Sequence, residues 1–205
     1  MFLVFDLETT GLPVRLKGIG SSGYYPPQHT NRYDKSRVVQ IAIIGVDRDY
    51  NKLYECEFKV KDVDDLMDST RFHGITEEIL ERDGVLFKDI ITDIKNVLTD
   101  CEGFIAHNAD FDMNILCSEL IRRGYQDIAE TIYKKPLYCS MKRFKNEIGI
   151  KNAYGIKYPS LTEFYKWVFG TDAEIKNAHD AMGDTTALIE CLQEIKNNKN
   201  IDILL

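Results

Sequence analysis

The sequence predicts an α/β domain built on a mixed sheet. Three observations favour this fold class. Three strand-like segments come first, short strands and helical segments then alternate, and the apolar content of 44% is ordinary for a chain that buries one core. The order is β-β-β-α-β-α-β-α, so the first three strands are expected to form a meander. The whole chain, residues 1–205, is expected to form one domain.

Apolar runs place the strands. Phe2–Leu7 predicts the first strand, and Val38–Val46 ("VVQIAIIGV"), which is too short to cross a membrane, predicts the second. Leu53–Val60 follows after a turn and is expected to pair with the second strand. The short segments Gly103–His107 and Leu137–Ser140 predict the fourth and fifth strands.

Apolar residues spaced three and four apart place the helices. A short helix is expected to begin in "TEEIL", directly after "HGI". Four longer helices are expected at Phe87–Leu98, Ala109–Arg123, Ser160–Phe169 and Asp180–Lys196.

The segment Pro13–Arg37 is rich in Gly, Pro and Tyr and predicts a long loop. Within it, "GIGSSG" (Gly18–Gly23) matches G-x-G-x-x-G, but that fingerprint must open a helix. The prolines of "YYPP" that follow exclude a helix start, so we do not interpret it as a nucleotide-binding loop. The aromatic residues of the loop are expected either to stack on bases or to cover the sheet edge.

Charge is unevenly distributed along the chain. The net charge is −7, which argues against a protein that coats long nucleic acids. From Lys134 to Tyr158, however, seven basic residues stand against Glu147 alone, a local charge of +6. This basic flank is either a surface that binds phosphates or simply a solvated face.

Cysteine usage and the N-terminus bear on the compartment. The five cysteines are odd in number and form no C-x-x-C pair, which is typical of reduced thiols inside a cell. "MFLVF" has no basic lead-in and meets Asp6 at once, so neither a signal peptide nor a transmembrane segment is expected.

Two carboxylates lie at the end of the first strand. Asp6 and Glu8 are two residues apart and therefore project from the same face. Burying carboxylates is costly unless a partner offsets their desolvation. The nearest basic candidates, Arg15 and Lys17, lie beyond "TTGLP", so a functional pair is favoured over an ion-paired one.

A third carboxylate begins a helix. Asp112, in "FIAHNADFDMNIL", is followed at helical spacing by Ile115 and Leu116, which places it on an inward-facing stripe. Asp110 and Asn108 are both candidates to cap this helix. Capping accounts for an acidic residue near this position, but not for one that faces the core.

A fourth carboxylate repeats the pattern. Asp184 precedes Leu188 and Leu192 on one helix face, and Asp180 is the expected cap. His179 lies five positions before Asp184, about 140° around a helix, so it is expected in the loop before the helix. Taken alone, His179 is better explained as an ordinary loop histidine than as a catalyst.

The four carboxylates are expected to converge. Like charges about 6 Å apart repel by roughly 3 kcal/mol at an effective dielectric near 20, so such a cluster takes up protons or holds cations. Oxygen ligands without cysteine suit Mg²⁺ or Mn²⁺. A cluster that leaves coordination positions for phosphates matches two-metal phosphodiester chemistry.

Together these segments resemble the DEDDh group of the DnaQ-like 3′–5′ exonucleases, in the ribonuclease H-like superfamily. "FDLETTGL" resembles the first exonuclease motif, "HNADFD" the second and "HDAMGD" the third, and "FHGIT" resembles the stretch between the first two. The motifs occur in family order along almost the whole chain. The tyrosine branch of the family has Tyr four residues before the last Asp. Here Asp180 has that position, which places the chain in the histidine branch.

The resemblance implies a five-stranded mixed sheet flanked by helices, and a metal site. In that site Asp6, Glu8 and Asp184 would bind a first divalent ion, Mg²⁺ or Mn²⁺. Asp6 would help to bridge to a second ion, with Asp112 acting directly or through water. His179 would be the general base that deprotonates the attacking water. The product would be a nucleoside 5′-monophosphate cut from a 3′ end.

The resemblance also implies the substrate contacts. The expected contacts to the terminal nucleotide come from Thr9, Thr10, Gly11 and Leu12, with Leu12 as an apolar wedge. His107 and Asn108 would either sit at the edge of the site or shape the turn there. The Pro13–Arg37 loop is longer than the corresponding loop of compact bacterial proofreading domains.

The substrate and partners stay open at the level of sequence. The first interpretation is a 3′–5′ exonuclease acting on single-stranded DNA, and an exoribonuclease would use the same residues. An inactive nucleic-acid-binding module is a third interpretation, which retention of the four carboxylates and His179 weighs against. The expected partner is a DNA or RNA 3′ end. A polymerase or other replication or repair partner is possible but not identifiable, and the oligomeric state is open.

Overall fold

The computed structural model describes residues 1–16, 23–66, 68–199 and 201–204. Its centre is a five-stranded sheet in the order β3-β2-β1-β4-β5. The strands are β1 (Phe2–Thr9), β2 (Val38–Val46), β3 (Lys52–Lys59), β4 (Gly103–Ala106) and β5 (Leu137–Cys139). The predicted mixed sheet flanked by helices is therefore confirmed.

Strand pairing makes the sheet mixed. β1 and β2 are antiparallel, as are β2 and β3, which confirms the predicted meander. β1 is parallel to β4, and β4 is parallel to β5. In the β1–β2 register Glu8 lies opposite Gln40, so the carboxyl end of the first strand adjoins a polar residue of the second.

Helices cover the sheet and follow its strands. They are α1 (Thr70–His73), α2 (Glu77–Asp83), α3 (Phe87–Asp100), α4 (Ala109–Arg122), α5 (Gln126–Tyr133), α6 (Ser140–Arg143), α7 (Lys145–Ile148), α8 (Leu161–Phe169) and α9 (Ala181–Lys199). A 3-10 turn spans Thr30–Tyr33, and the hairpin strands β6 (Lys151–Asn152) and β7 (Gly155–Ile156) stand apart from the main sheet. In the part of the chain described, no helix is long and apolar enough to cross a membrane.

The sheet separates two apolar cores. Alternate residues of β1 enter opposite cores: Leu3 and Phe5 pack with residues of α3, α4 and α5, whereas Val4 packs with residues of α8 and α9. Period-two alternation along the strand produces this division. Helices α4 and α9 therefore approach the end of β1 from opposite faces, and each carries one of the predicted carboxylates there.

The long loop after β1 is partly folded onto α4. Residues 17–22, which include Lys17 and all of "GIGSSG" except Gly23, lie outside the described residues. Tyr24 and Tyr33 are buried, and the Tyr33 hydroxyl donates a hydrogen bond to the Tyr25 carbonyl. Arg37 makes two hydrogen bonds of 2.7 Å to the buried Glu119 of α4. These two tyrosines pack within the fold on the side of α4, whereas the edges of the sheet are β3 and β5, so covering of a sheet edge by the loop stays a prediction.

Candidate metal and nucleotide site

Three carboxylates meet at the carboxyl end of β1. Asp6 and Glu8 project from one face of that strand, and Asp184 lies in the first turn of α9. Each offers a carboxylate oxygen, and these oxygens all lie within 4.8 Å of one another. The three side chains are half-buried, so the cluster is open on one side. The structure therefore brings together three of the four carboxylates that the sequence singles out.

The fourth carboxylate, Asp112, lies next to this group. It is in the first turn of α4 and only 2% exposed. Its carboxylate accepts hydrogen bonds from its own backbone amide and from that of Leu7, and its charge acts on Asp6. Neither expected capping interaction of α4 is present, since Asn108 makes no side-chain cap and Asp110 pairs with Lys142. Asp112 faces inward for a reason other than capping.

Within the part of the chain that the structure describes, no cation neutralises the cluster. Among the described residues, no ion pair joins any of these four carboxylates to a lysine or arginine. The guanidinium of Arg15, one of the two basic residues nearest in sequence, lies over the Tyr24 ring at 4.3 Å. The oxygen-only donor set, without a built-in counter-charge, fits a hard divalent cation such as Mg²⁺ or Mn²⁺.

Burial and mutual repulsion raise the pKa values of the cluster. Desolvation raises the pKa of Glu8 to about 8, and the charges of Asp184 and Asp180 add to this rise. Desolvation, with the neighbouring carboxylates, also raises the pKa of Asp6 well above its usual range. The pKa of Asp112 rises for the same first cause. Without a cation, the folded protein therefore keeps protons on this cluster near neutral pH.

This protonation predicts a pH-dependent stability of the metal-free protein. Unfolding returns Glu8 to its ordinary pKa of 4.5, so between that value and about 8 the folded state holds the extra proton. The contribution of this proton to the free energy of unfolding is fully present below pH 4.5. It is lost as the pH rises towards 8. Buried His107 has the opposite effect, because desolvation lowers its pKa to about 4. The rise in stability that His107 causes ends near pH 6.5, the ordinary pKa of histidine.

The test is therefore chemical denaturation in EDTA between pH 6.5 and pH 8. We expect the free energy of unfolding to fall by about 1–2 kcal/mol across this range, since one proton contributes ~1.4 kcal/mol per pH unit. Glu8→Gln should reduce the slope, and excess Mg²⁺ should do the same in the unmodified protein. A metal-free protein that gains stability from pH 6.5 to 8 would contradict the shifted pKa values.

His179 lies in the turn before α9, as the sequence predicts. Its backbone is in the left-handed region, with φ of 65°, and its side chain is exposed. The backbone amide of His179 donates to the Asp184 carboxylate at 3.4 Å. The carboxylate of Asp180 accepts from the Gly183 amide at 3.1 Å, which confirms the expected helix cap. The histidine is thus attached to the carboxylate cluster through its own backbone.

Gly183 permits the close approach of this turn to α9. A Cβ atom at that position would collide with the backbone carbonyl of Asn177 and lie 2.9 Å from that of Lys176. Only glycine leaves room for the chain that leads into His179. The glycine of "HDAMGD" is thereby explained by packing of the turn.

Gln40 is a site residue to which sequence reasoning gave no role. It is fully buried on β2, and its amide nitrogen donates to Asp180 at 2.9 Å and to Glu57 at 2.8 Å. Its carbonyl oxygen accepts from the Ala181 amide at 3.3 Å. The available signal was a lone glutamine in the apolar run "VVQIAIIGV". This side chain ties the sheet to the turn that carries His179.

We predict that Gln40→Leu lowers hydrolytic activity by roughly 10- to 100-fold, because Asp180 and the start of α9 lose their anchor to the sheet. Unpaired buried groups should also cost about 1–3 kcal/mol of stability. Steady-state rates and thermal unfolding measure both effects.

Gln193→Leu is the matched control for this substitution. Gln193 lies on α9 itself, and its amide donates to the Tyr50 carbonyl at 2.8 Å. It should lose stability without losing activity. Equal activity of the two variants would show that Gln40 is structural only.

A cleft of about 620 Å³ adjoins the carboxylates. Its wall includes Glu8 and the whole predicted nucleotide-contact segment, Thr9, Thr10, Gly11 and Leu12. Phe72 and Phe111 line it as well and were not assigned by sequence reasoning, although Phe72 lies in the "FHGIT" stretch. This volume is in the range of small-ligand sites.

The contact segment has a rigid backbone and an exposed tip. Thr9 donates its hydroxyl hydrogen to the Gly11 carbonyl at 2.9 Å, and the Thr10 hydroxyl accepts from the Arg37 amide at 3.0 Å. A Cβ at Gly11 would lie 2.8 Å from the Lys35 carbonyl oxygen, so the close approach requires glycine. Leu12 is 77% exposed and lines both the large cleft and a second one of about 230 Å³.

His107 and Asn108 are near the site but engaged within the fold. The two ring nitrogens of His107 lie 2.9 Å from the Ser140 hydroxyl and 3.0 Å from the Pro159 carbonyl oxygen. Asn108 adopts a left-handed φ of 69° directly before α4, and its amide lies 3.5 Å from the Tyr24 hydroxyl. For His107 these contacts favour the turn-shaping alternative over substrate contact.

The family model RNase_T, described as "Exonuclease", matches residues 3–192. The chain belongs to this exonuclease family. Membership confirms the predicted DnaQ-like resemblance, and the family implies dependence on divalent metal ions. The acidic cluster has the oxygen ligands that such ions need.

Solved structures show the same fold. An exonuclease I structure is 19% identical, with a TM-score of 0.72, over 97% of this exonuclease and 41% of that chain. E. coli exonuclease I in complex with a dT13 oligonucleotide is 20% identical, with a TM-score of 0.71 and the same coverage. This chain thus spans about two fifths of exonuclease I.

A relative of similar length also has this fold. Exonuclease X in complex with 5′ overhanging duplex DNA is 20% identical, with a TM-score of 0.58, over 100% of this chain and 96% of that one. Among curated proteins, none matches the sequence significantly.

Proposed function

We propose that this exonuclease removes nucleoside 5′-monophosphates from the 3′ end of single-stranded DNA. The observation that carries the proposal is a carboxylate cluster that no described lysine or arginine neutralises, at the edge of a nucleotide-sized cleft. Complexes of exonuclease I with dT13 and of exonuclease X with overhanging duplex DNA support DNA as the polymer. The proposal covers polarity, substrate and mechanism, which family membership alone leaves open.

The proposed metal ligands are the four carboxylates, which would hold two divalent ions. When bound, these ions supply positive charge that offsets the carboxylates and polarises the scissile phosphodiester. The half-buried positions of Asp6, Glu8 and Asp184 leave the open side of the cluster for substrate. Asp112, held by the Leu7 amide, completes the ligand set from the side of α4.

His179 is the proposed general base. Its exposed side chain lies on a turn that is hydrogen-bonded to Asp184, which keeps it beside the cluster without making it a ligand. The water proton passes to the His179 ring as the water oxygen bonds to phosphorus. The bond from phosphorus to the 3′ oxygen of the preceding nucleotide then breaks, and the nucleoside 5′-monophosphate leaves.

The cleft supplies the proposed nucleotide contacts. The rigid Thr9–Gly11 backbone borders the terminal nucleotide, and Phe72 and Phe111 offer ring surfaces to its base. Leu12 lies between the two clefts that it lines, where it would separate the last base from the one before it. Contacts of this kind select a chain end over a continuous strand.

The test uses 5′-labelled oligonucleotides of DNA and RNA, both single-stranded and with a 5′ overhang, in Mg²⁺, Mn²⁺ or EDTA. A ladder that shortens from the 3′ end of single-stranded DNA, and that EDTA abolishes, is the expected result. A ladder on RNA alone would replace the substrate with RNA. Immediate release of the labelled 5′ nucleotide would overturn the polarity, and no cleavage with either metal would overturn the activity.

A further inference from the structure

The segment between β5 and α8 carries an exposed hairpin that takes no part in the proposed reaction. β6 and β7 pair only with each other, and residues 151–156 are all exposed. Tyr154, at the tip, is 98% exposed. An isolated two-stranded hairpin is marginally stable in water, so its order requires specific local bonds.

Local bonds hold the tip in shape. The Asn152 side chain accepts a hydrogen bond from the Tyr154 amide at 2.8 Å, and Gly155 takes the positive φ of 112° that the turn requires. At the base, the Lys157 amide donates to the Ile150 carbonyl at 2.9 Å. The sequence thus builds a defined turn that presents a large aromatic ring to solvent.

His107 ties this segment to the turn that precedes α4. Its ring nitrogens contact Ser140, where the segment begins, and Pro159, where it ends. Lys142, in α6, also pairs with Asp110, two residues before Asp112 in α4. Both anchors join the hairpin segment to the start of the helix that carries a proposed metal ligand.

The charge of the segment is opposite to that of the protein. Residues 142–158 contain five basic residues against one acidic residue, in a chain of net charge −7. Three of the five are ion-paired, Lys142 with Asp110, Arg143 with Glu147 and Lys157 with Glu163. Lys145 and Lys151 are therefore the cations that the segment offers to phosphates. The ammonium of Lys145 lies 4.3 Å from the centre of the Tyr158 ring, which is half exposed. Aromatic rings interleaved with basic side chains are the combination that binds single-stranded nucleic acid, through base stacking and phosphate attraction.

We propose that the hairpin, with Tyr154 at its tip and the Lys145–Tyr158 pair at its base, binds single-stranded DNA on the 5′ side of the reacting end. The inference rests on the proposed function, and it assigns an accessory site separate from the cleft that holds the terminal nucleotide. Bases several positions from the end stack on Tyr154, while Lys145 and Lys151 face their phosphates. The site therefore acts on long substrates and not on the shortest ones.

The experiment compares Tyr154→Ala with the unmodified exonuclease on dinucleotides and on dT oligonucleotides of about 15 residues. One lost stacking contact should raise KM for the long oligonucleotide by roughly 5- to 100-fold. Maximal kcat and the rate on dinucleotides should not change. Tyr154→Phe, which keeps the ring, should restore KM. Leu53→Ala, at an exposed position on β3 at the opposite edge of the sheet, is the control and should leave KM unchanged.

Binding distinguishes failure of this inference from failure of the proposed function. Fluorescence anisotropy of a labelled dT oligonucleotide, with Asp184→Asn present to prevent cleavage, reports the site without turnover. Weaker binding of the Tyr154→Ala form supports the hairpin site even if no hydrolysis is ever observed. If the Tyr154→Ala form binds the dT oligonucleotide as tightly as its parent and has the same KM, the hairpin site is wrong. The exonuclease assignment then stays intact. If the Tyr154→Ala form loses affinity for oligo(U) but not for oligo(dT), the choice of DNA as the ligand of the hairpin is wrong.

Discussion

Asp184→Asn is expected to abolish hydrolysis while leaving the fold intact. The substitution keeps the shape of the side chain but removes one charged oxygen ligand from the cluster with Asp6 and Glu8. Metal charge contributes several kcal/mol to the transition state of phosphodiester cleavage, so loss of a ligand should reduce kcat/KM by on the order of 10³-fold or more. Timed digestion of labelled oligonucleotide with saturating Mg²⁺ measures this loss.

The same substitution should stabilise the metal-free protein. Desolvation raises the pKa of Asp184, and its charge in turn acts on Asp6 and Glu8. Removing that charge above pH 8, where Glu8 ionises, should add roughly 1–3 kcal/mol to the free energy of unfolding in EDTA. A catalytic defect combined with a gain in stability is typical of a residue retained for its charge.

An exposed carboxylate provides the control. Asp172→Asn, on the turn after α8, makes the same chemical change away from the cluster and should alter neither rate nor stability. Unfolding of the Asp184→Asn variant in both the presence and the absence of metal would show that Asp184 serves the fold instead. Retained turnover would remove it from the ligand set.

The four carboxylates could be found from sequence because each has a strong local signal. Alternation along a strand placed Asp6 beside Glu8, and helical spacing turned Asp112 and Asp184 inward. Such signals depend on residues near in sequence, so they survive without knowledge of the tertiary fold. The same is true of the long apolar strand β2 and of helices α3, α4 and α9.

Contacts between distant segments could not be predicted in this way. The bonds from Gln40 to Asp180 and Ala181 join residues about 140 positions apart. The two contacts of His107, with Ser140 and Pro159, depend on how a later segment folds back. Periodicity carries no information on such pairs, which explains why the sequence assigns no role to Gln40 and leaves two alternatives for His107.

Short elements were missed for a related reason. Helix α5 spans eight residues, of which only Ala129 and Ile132 are buried, so its apolar stripe is too brief to stand out. The β6–β7 hairpin has two residues per strand and no buried face. Its turn depends on an Asn side chain and a glycine. Hydrophobic periodicity, the main sequence signal, is absent from such a hairpin.

His179→Ala is expected to reduce kcat by roughly 10²- to 10⁴-fold, the usual contribution of a general base. The exposed side chain lies on the turn whose backbone amide contacts Asp184, so truncation removes the proposed proton acceptor but leaves that amide in place. Binding of Mn²⁺, measured by calorimetry, should therefore change little. KM should also stay close to its original value, because the imidazole takes no part in holding the nucleotide.

His29→Ala is the matched control, since His29 is also exposed but lies beside Tyr25 in the loop after β1. It should retain full kcat. A His179→Ala variant that loses Mn²⁺ affinity in proportion to its activity would show that the turn mainly orders the ligands around Asp184. An unchanged kcat would remove His179 from the proton transfer. A fall in kcat with Mn²⁺ binding intact is the one result that assigns the proton to this ring, because the backbone of the turn is the same in both proteins.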